Sequence, residues 1–354
     1  MTLTRRHPAA DPAHAASGVG VPPLEPARFG VRTGGSTARR LVIQRLALAP
    51  IILLGVTFAV FVMVDLSPND PAFAQLGQFA DAESRARFAQ ENGLDDPLLA
   101  RYWYFLIDLA HLDFGTSAVR AESVATLLAR ALPLTIQLVG LAIVIAVLFA
   151  CVFGTLAAVT EGRITDRLIS GAMAMFQAAP SFWVGLIVIH LFAISLGVIP
   201  SGGYVRISQG VGPWFQSIIG PAVVLALAIM AALTRIIRAS LADELAKDYV
   251  RTAISNGVAG PVVLFRGVFP NALVAPITVI GMWIGALMSG AILIEVVFNL
   301  PGMGSLLVTG VAEGDLGVVR AVAIVGAIAF VLSNLAVDLL YLAIKPRVAE
   351  EAGR

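Results

Sequence analysis

The sequence predicts an all-α integral membrane protein of about six transmembrane helices, with a small exported helical segment between helices 1 and 2. Three observations predict it. The 354 residues are 58% hydrophobic and only 13% charged, whereas a soluble domain carries about 25% charged residues. Long stretches contain almost no charge. The basic residues gather in alternate connections between those stretches.

A spanning helix needs about 20 mostly apolar residues, because the hydrocarbon core is about 30 Å thick and a helix rises about 1.5 Å per residue. Six stretches meet this: 46–64, 131–160, 168–205, 207–234, 267–294 and 321–344, the last broken only by Asp338. The third is long enough for a span and a loop. Amphipathic soluble helices would carry charges every three or four positions on their outer faces, and these runs do not.

Orientation follows from Lys and Arg in the flanks. With the N-terminus inside, seventeen of the 24 basic residues fall on the cytoplasmic side, among them Arg39, Arg40, Arg45, Arg163, Arg167, Arg235, Arg238, Lys247, Arg251, Arg266, Lys345 and Arg347. Both termini are expected in the cytoplasm. Residues 1–40, rich in Ala, Pro, Gly and Arg, read as a disordered cytoplasmic tail. Ala72-Phe73-Ala74 resembles a signal cleavage site, but Asp65 and Asp70 separate it from a run too long for a signal core, so an uncleaved first span is expected.

Residues 65–130 form the exported segment. Asp96 and Pro97 suit a helix start. Tyr102, Trp103, Tyr104 and Phe105 follow and suit the membrane interface. A small helical scoop on the outer membrane face is expected here.

Composition also excludes functions. A net charge of +1 gives no basic field for nucleic acid. Cys151 is the single cysteine, and His7, His14, His111 and His190 share no metal-ligand spacing. A phosphate-binding loop needs Gly-Lys-Ser or Gly-Lys-Thr. The two lysines, Lys247 and Lys345, follow Ala246 and Ile344. Nucleotide chemistry would have to come from another polypeptide. No nucleophile–base pair or ligand set falls at membrane depth, as an embedded hydrolase would need.

Ionisable groups inside spans mark functional sites. Glu295, near the outer end of the fifth span, is a candidate outer gate, or pairs with a neighbour. Asp338 is expected to anchor a helix end or to pair with a cytoplasmic Arg, and His190 to be an interfacial structural residue. Pro180 and Pro276 are expected to break helices mid-span.

The cytoplasmic stretch 235–271 differs from the other connections. Leu241, Leu245 and Tyr249 recur at a spacing of four, as do Val250, Ile254 and Val258. An amphipathic helix is expected, with Gly257 closing it after Asn256, then a second short helix leading to Pro270. Such a segment either rests on the membrane surface or docks in a partner's groove.

Here the sequence resembles a known family. Asp248-Tyr249-Val250-Arg251-Thr252-Ala253, followed after three residues by Gly257 and later by Phe269-Pro270-Asn271-Ala272, resembles the EAA loop of ABC-importer permeases. Arg251 and Thr252 occupy the acidic and first alanine positions, a substitution typical of the peptide-type branch, and Gly267 stands where a bulkier residue is usual. Further pieces occur in order. Leu66-Ser67-Pro68-Asn69-Asp70-Pro71, Gly93-Leu94-Asp95-Asp96-Pro97, Asp113-Phe114-Gly115, Pro180-Ser181-Phe182-Trp183, Pro301-Gly302-Met303-Gly304 and Pro346-Arg347 are each similar to family elements.

The resemblance implies the MetI-like (type I) permease fold, of the B type found in dipeptide, oligopeptide and nickel importers. It implies a permease core at 131–348 with its coupling loop at 243–272, and a short cytoplasmic tail at 349–354. Implied partners are a second homologous permease, two P-loop ATPase subunits or domains, and an extracytoplasmic substrate-binding protein. The chain itself would be non-catalytic and hold no cofactor, ATP and Mg being bound by the ATPases in a bacterial plasma membrane. The implied cargo is di- or oligopeptide, with nickel chelates or other small solutes as alternatives. An ion-coupled carrier is the rival class. It would show midplane carboxylates and an internal repeat, and neither is visible.

Overall fold

The structure is a computed structural model that describes residues 35–66 and 81–344, apart from Asn92, Leu94 and Ala118. Most of the 1–40 tail, Ala72-Phe73-Ala74, the 67–71 element, the side chain of Asp338, and Lys345 with everything after it lie outside the described residues.

The principal helical elements of the described chain are numbered α1 to α12. They are α1 (Gly35–Asp65), α2 (Ala82–Glu91), α3 (Leu98–Ala110), α4 (Val124–Val159), α5 (Ile164–Ala178), α6 (Ser181–Val188), α7 (Val211–Leu245) and α8 (Asp248–Ser255). Then α9 begins at Gly260–Val262, passes through a π-helical stretch at Val263–Val268 and ends in the turn Phe269–Ala272. Last come α10 (Val274–Val297), α11 (Met303–Glu313) and α12 (Leu316–Ile344). Among the described residues four helices are long and apolar enough to cross a membrane: α1, α4, α7 and α12. The stretch at 164–195 adds a pair of helices bent by 104°. The bend falls where Ala179 adopts an extended backbone ahead of Pro180, the conformation that a following proline enforces. Pro276 behaves differently from expectation. It lies in the first turn of α10, where its missing N–H leaves no bond unmade. The prolines that do lie inside long helices are Pro50, Pro133 and Pro221.

The centre of the molecule is the α4–α7 pair. Along α4, Ala142, Ala146, Ala150 and Ala157 are all fully buried. Small residues at this spacing let two helix backbones approach closely, which is how helices associate where lipid supplies no hydrophobic drive. Gly154 lies on the same seam. A Cβ placed there would lie 2.7 Å from Ile237 Cγ2 and 3.1 Å from the Thr234 carbonyl oxygen. A backbone oxygen cannot turn aside. Gly154→Val is therefore expected to destabilise the protein by about 1–3 kcal/mol through overpacking. Gly140→Val, with no atom within 4 Å of its Cβ position, should be neutral. Thermal unfolding of the two variants in gentle detergent checks the contrast.

The predicted amphipathic helix over 241–258 is two helices. Leu245 ends α7, Lys247 is extended, and α8 starts afresh at Asp248. Leu241 is consequently buried in the core, whereas Tyr249 is 42% exposed.

The segment expected as an outer-face scoop is tied to its neighbours by α3. Tyr102 donates to the Leu54 carbonyl at 2.9 Å and lies 2.8 Å from the Thr57 hydroxyl. Its ring meets Phe58 and Phe61 edge-on. Arg101 pairs with Asp65 at the end of α1, and the Arg320 guanidinium stacks 4.9 Å over Phe61 and 5.4 Å over Phe105. Downstream, Ser117 donates to the buried Asp315. Asp315 in turn accepts the Val318 N–H at 3.2 Å at the start of α12.

Candidate coupling site

Local sequence explains the turn after α8. Gly257 has φ +83, a left-handed backbone that glycine adopts freely and L-residues adopt at a cost. Its N–H donates to Ile254 O at 2.9 Å, and the Val258 N–H donates to Ala253 O at 3.1 Å. These two bonds form the Schellman closure of a helix end.

The residues named from the sequence divide between two faces of α8. Val250 is buried in the same core as Leu241, Val263, Val268 and Ala272, and Ala253 packs against it. Asp248, Arg251 and Thr252 point outward, with the Asp248 side chain 99% exposed. Tyr249 spans the break between α7 and α8. Its hydroxyl donates to Glu244 Oε1 at 2.9 Å, while Lys247 Nζ holds Glu244 Oε2 at 2.5 Å. Burial first, then the bond to Glu244, pushes the Tyr249 hydroxyl up. The Glu244 carboxylate pushes the Lys247 ammonium up. Both groups stay protonated through neutral pH, so the junction keeps its form there. A Cβ on Gly267 would meet the Tyr249 ring at 3.8 Å, so the small residue leaves the ring room to lie on α9.

Pro270 is exposed in the last turn of α9. It supplies no N–H there, and the π-helical stretch just before it loosens the helix register. Around this corner the apolar side chains of Ile254, Val258, Val262 and Phe265 are exposed, between Arg251 and Arg266. The inner face is fixed in the core and the outer face offers apolar anchors beside charge.

Glu295 is not near this corner. The length of α10 separates them, about 36 Å at 1.5 Å per residue for its 24 residues. The carboxylate is fully buried. Oε1 accepts the Thr135 hydroxyl at 2.6 Å, and Oε2 accepts the N–H groups of Gly304 at 2.6 Å and Ser305 at 3.2 Å. Thr135 also accepts the Met303 N–H at 2.9 Å. Glu295 thus satisfies the free N–H groups that open α11 and places negative charge where the helix dipole favours it. Gly302 and Gly304 make the approach feasible. A Cβ on Gly302 would lie 2.3 Å from the Glu295 carboxyl carbon, and one on Gly304 2.4 Å from Ile292 Cα.

Comparison with known proteins shows the family. The family model described as binding-protein-dependent transport system inner membrane component matches residues 150–350, and the model of its N-terminal part matches residues 38–142. The chain belongs to that family.

The permease is also similar to individual proteins. A probable peptide ABC transporter permease protein of Sinorhizobium fredii is 34% identical over 307 residues, covering 87% of this chain and 98% of the relative. An oligopeptide transport system permease protein of Bacillus subtilis is 34% identical over 310 residues, with the same coverage. A glutathione transport system permease protein of Escherichia coli is 36% identical over 308 residues, again with 87% and 98% covered.

Four features of the permease escaped the sequence reading. Asp166 receives Arg238 bidentately, Nε at 2.6 Å and Nη2 at 2.7 Å, and accepts the Gly162 N–H at 3.0 Å. This pair bolts the start of α5 to the end of α7, next to the coupling corner. The others are Arg320 inside α12, the Ser117–Asp315 bond, and Gln137, whose Oε1 accepts both Tyr204 at 2.9 Å and Trp214 at 2.8 Å. His190 lies exposed in the π-helical stretch after α6 and accepts Ser195 at its carbonyl oxygen. Among the described residues no group of three or more His, Cys, Asp or Glu is placed to hold a metal.

Proposed function

We propose that this chain is the membrane-spanning permease subunit of an ATP-driven peptide importer, forming half of the pathway beside a second homologous permease. The α8–α9 corner, with Asp248, Tyr249, Val250, Arg251, Thr252, Ala253, Gly257 and Pro270, receives the ATPase. Two such ATPase subunits or domains bind ATP and Mg, and a substrate-binding protein delivers cargo on the outer side. Both termini lie in the cytoplasm of a bacterial cell, 131–348 forms the permease core, and Glu295 acts on the outer gate by holding α11 against α4 and α10.

One observation carries this reading: a short helix whose inner face is buried in the protein core and whose outer face is an exposed apolar and charged surface. A push on that surface reaches α7 through Tyr249, Lys247 and Glu244, and reaches α10 through α9. The peptide cargo follows the named roles of the relatives, which include peptide, oligopeptide and glutathione transport permeases.

The test is purification of the tagged chain from its native membrane by gentle solubilisation, with mass spectrometry of what accompanies it. Reconstitution into vesicles with the copurified components and a labelled dipeptide follows. Recovery of a second permease and P-loop ATPases, with uptake that requires ATP, is expected. Uptake by the chain alone under an ion gradient would replace the proposal with the carrier class.

A further inference from the structure

Close to the coupling corner, α5 and α7 enclose a cavity of about 210 Å³ lined by Ser170, Met173, Ala174, Thr234, Arg235 and Arg238. Its chemistry is lopsided. Thr234 is 2% exposed, and its hydroxyl is fully enclosed with no hydrogen-bond partner in the protein. An enclosed hydroxyl left unpaired is costly, and such groups are rare unless something outside the chain completes them. Arg235 makes no ion pair among the described residues.

The acidic groups nearby are already committed. Asp166 takes Arg238 on both oxygens, together with the Gly162 N–H and the Ser170 hydroxyl. Glu161 lies 3.7 Å from Arg238 and is otherwise turned to the outside. Arg238 is thus faced by Asp166 and, at 3.7 Å, by Glu161, so of the two guanidiniums only Arg235 has no carboxylate in contact. The site therefore holds a guanidinium with no carboxylate in contact, a second guanidinium held rigid by Asp166, and, on a lining residue, an enclosed hydroxyl without a partner. Its remaining walls, Met173 and Ala174, are apolar. Leu168 and Met175 of α5 are exposed close by.

We propose that this cavity is a binding site for a phosphate group. Guanidinium and hydroxyl donors match phosphate oxygens by charge and geometry. The cavity lies where the apolar run of α7 gives way to Arg235 and Arg238, with exposed apolar side chains of α5 alongside. Such basic pockets at the membrane edge suit the headgroup of an anionic phospholipid, and free inorganic phosphate shares the same chemistry. The proposal is independent of the cargo and of the ATPase.

The complete complex, purified and delipidated in detergent, is titrated with short-chain phosphatidylglycerol, with phosphatidylcholine of the same chain length and with inorganic phosphate. Thermal unfolding is the readout. Phosphatidylglycerol is expected to raise the unfolding temperature saturably, and phosphatidylcholine to do so far less. Two variants locate the effect. Arg235→Gln alters an exposed residue and should fold normally. Thr234→Val keeps the shape and removes the hydroxyl, so its unliganded unfolding temperature should rise. Each variant should need about tenfold more phosphatidylglycerol for the same shift, the equivalent of one charged hydrogen bond. An equal response to inorganic phosphate, lost in both variants, upholds the site and makes its ligand a soluble anion. Equal stabilisation by phosphatidylcholine, variants that respond like the wild type, or no shift with any of the three probes would overturn the proposal.

Discussion

Glu295→Ala is expected to lower the stability of the permease by roughly 3 kcal/mol or more, the largest effect of any single side-chain change at the Glu295 end of α10. The substitution leaves the N–H groups of Gly304 and Ser305 and the Thr135 hydroxyl without their acceptor, and a buried group left unpaired costs about 1–3 kcal/mol. Glu295→Gln isolates the cause. One amide oxygen still serves Gly304 and Ser305, and only the bond from Thr135 changes, so a loss near 1 kcal/mol is expected. Thr135→Val should be strongly non-additive with Glu295→Ala, because both remove the same contact. Tryptophan-monitored unfolding in detergent reads all three. If Glu295→Ala unfolds like the wild type yet abolishes transport, the capping account fails and the carboxylate gates directly.

The second large effect falls on assembly. Gly257→Val is expected to abolish copurification of the ATPase while α4, α7 and α10 remain folded. Space is not the obstacle, since no atom lies within 4 Å of a Cβ at this position. The obstacle is φ +83, which a β-branched residue avoids. Valine would open the closure that carries the chain from α8 into α9 and displace Ile254, Val258 and Val262 relative to one another. Gly257→Asn provides the discriminating control, because asparagine tolerates the left-handed region. It should retain most of the ATPase. Equal recovery with valine, asparagine and glycine would remove the corner from the coupling path.

The long helices were legible because lipid imposes a requirement on composition itself: α1, α4, α7 and α12 lie under runs almost free of charge. Gly257 was legible because helix ends have a local chemistry. Other features depend on contacts far apart in sequence. The stripe Leu241, Leu245, Tyr249 keeps its spacing of four through a break, so periodicity predicted one helix where Lys247 turns the chain into two. Asp166 and Arg238 are 72 positions apart, and no spacing rule connects them. Arg320 escaped because the apolar run was counted from residue 321, yet α12 begins at Leu316 and holds the arginine over the Phe61 ring. Glu295 stood out as an ionisable residue in a span, but its partner Thr135 is 160 positions away.

The α4–α7 seam has a mechanical consequence. Thirty-six and 35 residues, locked by buried alanines and Gly154, make two rods about 50 Å long that cannot slide past each other. Glu295 fastens α4 at one end through Thr135, and Asp166 fastens α7 at the other through Arg238. A body braced in this way behaves as a lever. A tilt of a few degrees imposed at the α8 corner arrives at the far end as a displacement of several ångströms. It arrives there as rotation, with little lost to internal give.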